Sequence, residues 1–188
     1  MKKSIKKVLM YTSFLYWKSK CKFAYLLEGS HGFARIISLL PKMHIVPILK
    51  CFGAQIGNNC DIDLGLMLHR VELPLKNLIL SRNTHLGHRV FIDLTEKVSI
   101  QEDTAIGSYT MFITHTGDQT NGKTDYYEFR KGIEIGRSVI IYSSCIVCPG
   151  VSVGDFSRIG ANSTILRDIP SKYFAAGSPA ILKKIINS

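Results

Sequence analysis

The first fifty residues contain almost no negative charge: Glu28 is their one acid, set against ten lysines and arginines, a balance of +9. The rest of the chain holds fourteen basic and thirteen acidic side chains, so nearly all of the +10 formal charge of these 188 residues belongs to an N-terminal appendage. A basic field confined to an appendage, with no nucleic-acid-binding motif anywhere, argues against nucleic acid as the partner of the remainder. Also missing is an apolar run long enough to span a bilayer. The run from Val8 to Trp17 ends in Lys18 without a small-residue cleavage site, which speaks against a secretory signal. The five cysteines are odd in number and scattered at 21, 51, 60, 145 and 148, a distribution that suits reduced thiols in a cytoplasmic compartment and not a disulfide framework. Cys145 and Cys148 spell CxxC but read as small core residues.

What is present is a period of six. Ile135, Ile141, Val147, Val153, Ile159 and Ile165 recur in that step, and Ile56, Ile62, Leu68, then Leu80, Leu86, Ile92, Val98, then, after a two-residue slip, Ile100, Ile106 and Phe112 repeat it upstream. A helix repeats at 3.6 residues and an ordinary strand at two, whereas short flat strands joined by sharp corners return to the same inward position every sixth residue. The pattern predicts a parallel β-helix from about Ile56 to Leu166. Small or β-branched residues, Val139, Cys145, Val151, Ser157 and Ser163, stand four places after successive anchors and suit a crowded corner. Gly136, Gly154 and Gly160 follow anchors directly, where a turning backbone can use positive φ.

Two segments fall outside the period. Residues 1–52 read as a basic, mostly helical segment in which Ile5, Val8, Leu9, Thr12, Leu15 and Tyr16 share one stripe, with Lys3, Lys6, Lys7 and Lys18 on the other side. Such a helix suits the headgroup region of an anionic membrane leaflet, or packing on the solenoid end or a partner subunit. Residues 113–132 are polar, aromatic and glycine-bearing and read as a loop extruded from one corner of a solenoid spanning 53–170. Long loops on rigid scaffolds commonly carry function. At the loop's entrance stands His115, a side chain able to take a proton at neutral pH, with the carboxylate of Asp118 three residues on. Tyr126, Tyr127 and Phe129 could stack on a ligand ring or pin the loop to the coil.

The order of parts resembles the hexapeptide-repeat acyltransferases of the left-handed parallel β-helix class, over about Ile56 to Ile185. The resemblance rests on VSIQEDTAIGSYTMFITHTGD and on IEIGRSVIIYSSCIVCPGVSVGDFSRIGANSTILRDIPSKYFAAGSPAILKK. It implies an all-β solenoid closed by a short helical C-terminal tail over 171–188, assembled as a homotrimer with its sites between adjacent solenoids. It implies acetyl-CoA as donor, no required metal, a sugar or surface-glycan hydroxyl as acceptor, and His115 as general base. On the acceptor side it points to Asp93, with His88 and Asp118 near by; His85 and His88 face opposite ways in a flat strand, so one of them at most serves a given site. On the cofactor side it points to Ser143 and Ala161 for the pantetheine arm and to Arg167 and Lys184 for the phosphates, where cations make physical sense. Tyr142 and Leu166 depart from the family's usual glycine and threonine. Pro170, Gly177 and Pro179 suit the chain reversal that caps the coil.

Other readings compete. Serine and antibiotic acetyltransferases share these coils. A solenoid scaffold would use the basic segment as its contact surface and bind no acetyl-CoA. Zinc-holding solenoids need three histidine ligands at other spacings than His85, His88 and His115 offer.

Overall fold

The computed structural model describes the backbone of residues 2–119 and 126–186, and side chains outside 1–5, 118–128 and 187–188. Two helices precede the coil, α1 (Lys2–Ser38), bent at Gly29, and α2 (Lys42–Cys51). Cys21, Ala24, Phe33, Ile36 and Ile37 of α1 and His44, Ile45, Ile48 and Leu49 of α2 are buried. The Phe33 ring meets Phe52 edge-on at 4.9 Å. Packing of this kind, not helix propensity, supplies most of the stability of such a pair.

The predicted parallel β-helix follows. Its first coil contributes β1 (Gln55–Ile56), β2 (Asp61–Ile62) and β3 (Met67–His69). The second holds β4 (Leu78–Leu80), β5 (His85–Leu86) and β6 (Phe91–Asp93). The third holds β7 (Val98–Ile100), β8 (Ala105–Ile106) and β9 (Met111–Phe112). An antiparallel hairpin, β10 (His115–Gln119) with β11 (Tyr126–Arg130), interrupts the winding, so the extruded segment is an ordered ribbon at its base. Then come β12 (Ile133–Ile135), β13 (Ile140–Ile141) and β14 (Ile146–Val147), and β15 (Ser152–Val153), β16 (Arg158–Ile159) and β17 (Thr164–Ile165). Ile169 bridges to Val153 and begins a sixth turn.

Every residue of the six-step series is buried, from Ile56 at 8% exposure to Ile165 at 0%. The four-step series Val139, Cys145, Val151, Ser157 and Ser163 is buried with it. Among the described residues no buried side-chain nitrogen or oxygen lacks a hydrogen-bond partner. Ser163 shows how the corners achieve this, donating its hydroxyl to the Gly160 carbonyl at 2.6 Å and accepting from the Gly177 amide at 3.0 Å.

The left-handed backbone positions differ from the expectation. Gly136, Gly154 and Gly160 are not among the residues at positive φ; the turn falls three residues after each anchor, at Ser138, Ser144, Gly150, Phe156 and Asn162. The glycines serve close approach instead: a β-carbon on Gly154 would lie 2.4 Å from the Ser171 backbone nitrogen of the next coil.

Departures from regular winding share one place. Register partners Gln55–Ile79, Ile79–Ser99, Ser99–Glu134 and Glu134–Ser152 step by 24, 20, 35 and 18 residues. Eighteen is three strands of six. The surplus always lies between the third strand of one coil and the first of the next, after β3, β6 and β9, so three inserted segments stack on one corner of the prism.

The closing tail is a strand pair, not a helix. β18 (Tyr173–Ala176) pairs parallel with β16, and after a reversal at Gly177, φ +110°, β19 (Ile181–Ile185) pairs antiparallel with β18. A helix would leave the outer edge of β18 unpaired, and backbone groups on a sheet edge demand partners.

Candidate active site

The stacked corner gathers three titratable side chains. His69 and Asp93 are register partners at the ends of β3 and β6, and His115 opens the hairpin one coil further on. Asp93 is 1% exposed and is held by donors on both oxygens. Oδ1 accepts from the Thr95 amide at 3.1 Å and its hydroxyl at 2.7 Å. Oδ2 accepts from the Thr114 amide (3.0 Å) and hydroxyl (2.9 Å), from the His115 amide (3.2 Å), and from His115 Nδ1 at 2.5 Å. Burial by itself would push this carboxyl upward, but the bonds from His115, Thr95 and Thr114 outweigh it and hold its pKa well below the usual carboxylate range.

The two-residue slip in the repeat produces this arrangement. It lengthens the corner after β6, where Thr95 closes back on Asp93 and brings its hydroxyl to 3.2 Å from His115 Nδ1. The Thr95 hydroxyl proton is committed to Asp93, so its lone pairs face the imidazole. An ionised Asp93 accepts and does not donate, which assigns a proton to Nδ1 of His115. The His115 side chain is 16% exposed, enough for one edge to meet a ligand. His69 lies parallel to it, ring centres 5.6 Å apart and 11° between planes, with Nδ1 at 3.5 Å from Asp93 Oδ1.

Ligand atoms of His69, Asp93 and His115 lie within 4.8 Å of one another, a donor set that could hold a metal ion. In this structure Asp93 Oδ2 accepts directly from His115 Nδ1.

The other expected residues are dispersed. Asp93 faces the histidine and not an open acceptor site, since both its oxygens are taken. His88 packs edge-on against Tyr109 at 5.9 Å and lines a cavity of about 480 Å³ with Arg89 and Met67. The Asp118 side chain lies outside the described residues, and its backbone pairs with Tyr127. Ser143 lines a groove with Gly107, Ser108 and Tyr142, and a β-carbon on Gly107 would come within 2.4 Å of its backbone nitrogen. Lys184 lines a cavity of about 300 Å³ with Tyr142, Arg158 and Phe174. Ala161 and Arg167 are exposed near by in sequence, on the last full coil. A further cavity, lined by Arg70, Glu72, Thr95 and Arg130 among others, opens beside Thr95.

His69, Thr95 and Thr114 were not singled out in the sequence. The signal lay in the register: His69 directly follows anchor Leu68 as Asp93 follows Ile92, so the two had to stack.

The parallel coil with its hexad core thus carries its insertions and a carboxylate-held histidine at one corner. Residues 132–167 match the family model described as bacterial transferase hexapeptide (six repeats), and this match supports the hexapeptide-repeat acyltransferase family. It is 27% identical over 179 residues to a galactoside O-acetyltransferase of Lactococcus lactis, covering 91% of this chain and 80% of that one. In fold it resembles a maltose O-acetyltransferase of Clostridium difficile, with TM-score 0.65, 19% identity, and 93% and 89% of the two chains covered. A galactoside acetyltransferase in complex with coenzyme A superposes at TM-score 0.64 and 22% identity, covering 94% and 82%.

Proposed function

We propose that this protein is an acetyl-CoA-dependent O-acetyltransferase acting on a hydroxyl of a sugar or surface glycan in the cytoplasm, as a homotrimer with its sites between adjacent solenoids. The observation that carries the reading is the Asp93–His115 hydrogen bond at the corner where the coil departs from its period. A sugar hydroxyl is a poor nucleophile at neutral pH. Nε2 of His115 accepts its proton as the oxygen attacks the thioester carbonyl; the carbonyl oxygen takes up charge, then collapse expels the coenzyme A thiolate, which receives the proton. Asp93 keeps Nδ1 protonated and steadies the imidazolium between those steps.

The donor lies along the later coils in this reading, with Ser143 and Ala161 beside the pantetheine and Arg167 and Lys184 toward the phosphates. The cavity bearing Lys184 supports that side, as cations do for phosphate. The galactoside and maltose acetyltransferase relatives support the sugar acceptor, and a galactoside acetyltransferase bound to coenzyme A supports the donor.

The test is acetyl-CoA-dependent thiol release over a panel of sugars, oligosaccharides, serine and chloramphenicol, for the wild type and His115→Ala. Release with a sugar or glycan, lost in the variant, is expected. Release with serine or chloramphenicol alone would move the enzyme to those acceptor classes, and release that survives in His115→Ala would remove His115 from its role.

A further inference from the structure

Helix α1 buries the side opposite to the one that carries its longest apolar stripe. At about 100° per residue, the buried Cys21 and Ala24 share one side, and Phe14, Trp17 and Tyr25 pack beside them. Val8, Leu15, Tyr16, Phe23, Leu26 and Leu27 fall within an arc of about 120° on the far side. They are solvent-exposed, Val8 by 59% and Leu26 by 80%. The stripe from Val8 to Tyr16, seen in the sequence, therefore extends to Leu27 without a covering element.

Its flanks are cationic. Lys18 and Lys22 border one edge and Lys6 and Lys20 the other, with Lys20 folded over the Tyr16 and Trp17 rings at 5.4 and 5.1 Å. Glu28, the lone acid of this region, is paired with Arg35 at 2.6 Å. A protein partner of ordinary composition would meet an apolar stripe fenced by uncompensated lysines. A second copy of the same face would bring those lysines against each other. Anionic lipid satisfies both features at once, since acyl chains accept the stripe and headgroups accept the lysines. No helix among the described residues is long and apolar enough to cross a bilayer, so the helix would lie along the surface.

We propose that the exposed face of α1, from Lys6 to Leu27, docks the protein flat onto an anionic membrane surface, with Val8, Leu15, Tyr16, Phe23, Leu26 and Leu27 entering the acyl boundary. This docking is independent of which acceptor the enzyme uses. It would hold the solenoid beside the bilayer, where an acceptor built on a lipid carrier is concentrated.

The experiment is flotation of the full-length protein with vesicles of phosphatidylcholine alone and of phosphatidylcholine mixed with phosphatidylglycerol. Leu15→Glu/Phe23→Glu/Leu26→Glu and Lys6→Gln/Lys20→Gln/Lys22→Gln are run in parallel, and the mass of each is checked by sedimentation velocity. The wild type is expected to float with the mixed vesicles and to be released by salt. The glutamate variant should lose at least about tenfold in partitioning, and the glutamine variant about fivefold per lysine on mixed vesicles alone. Thiol release with a soluble acceptor stays at the wild-type level in both variants. A wild type that ignores both vesicles, or a glutamate variant that floats equally well, overturns the proposal. A glutamate variant of altered oligomeric mass also overturns it, because the face is then a subunit contact.

Discussion

Asp93 and His115 belong to consecutive coils and meet through a hydrogen bond of 2.5 Å between Oδ2 and Nδ1, with the carboxylate sealed from solvent. The contact is possible because a parallel coil brings residues 22 apart in sequence to one corner, and because the turn after β9 directs His115 back over β6. Several measurable consequences follow from that single contact and from the winding that produces it.

In the proposed reaction, His115→Ala removes the proton acceptor and leaves the later coils assigned to the donor untouched. Turnover should fall by about 10²–10⁴-fold, with little change in the KM for acetyl-CoA, in a steady-state thiol-release assay. An equal fall in donor affinity would place His115 in binding.

Asp93→Asn keeps the shape and reverses the hydrogen bonding, since an amide NH₂ would face donors that need an acceptor. We expect a turnover loss comparable to that of His115→Ala and a stability loss of about 1–3 kcal/mol. The folded carboxyl is more acidic than the unfolded one, so its contribution to stability is fully present above about pH 4 and is lost as pH falls toward the folded value. The melting-temperature gap between wild type and variant should stay constant between about pH 5 and 8 and close on further acidification. A gap that widens in acid would contradict the assignment.

Chelation tests whether the same corner works through the direct hydrogen bond or through a metal ion. Because Nδ1 and Oδ2 bond directly, prolonged dialysis against EDTA should leave turnover and melting temperature unchanged. Loss of activity restored by one divalent ion would show that His69, Asp93 and His115 are ligands.

Gly107→Ala probes the tight winding beside Ser143. Its β-carbon would sit 2.4 Å from the Ser143 nitrogen and 2.6 Å from the Tyr142 carbonyl carbon, so the two coils must separate. A cost of about 1–3 kcal/mol is expected, read as a drop of several degrees in melting temperature.

Cysteine reactivity should follow burial. Burial, with a smaller contribution from Cys51, pushes the Cys21 thiol up to about 11, and burial also raises Cys145. Under native conditions near neutral pH, iodoacetamide should modify exposed Cys51 first. Cys21 should react about a hundredfold or more slowly until the protein unfolds. Mass spectrometry of peptides at timed quenches reads both rates.

The coil was legible because one physical demand, an aliphatic side chain every sixth residue facing a narrow core, acts on each strand separately. Ile135 through Ile165 carry it without help from distant sequence. The site was legible only in part. His115 stood out as the histidine where the rhythm stops, but its partner is decided by which coil stacks on which. That depends on the sizes of the insertions before Leu80 and after Ile92, and without the register Asp93 reads as a residue for the acceptor and His69 not at all. The tail was misread because Ile181, Leu182 and Ile185 fit a helix or a strand equally well over so short a span. The open edge of β18 decides between them. The turn positions were misread at Gly136, Gly154 and Gly160 because glycine answers two needs, left-handed backbone and absence of a side chain, and here the second governs.

A coil of stacked strands has no intrinsic reason to stop, since β1, β2 and β3 each present an unpaired rim able to template the end of another molecule. Helices α1 and α2 rest against those three strands, and that coverage turns a potential filament seed into a particle of fixed size. The same segment that carries the lysines is therefore a terminator of growth, and a chain shortened to its solenoid would tend to associate head to tail.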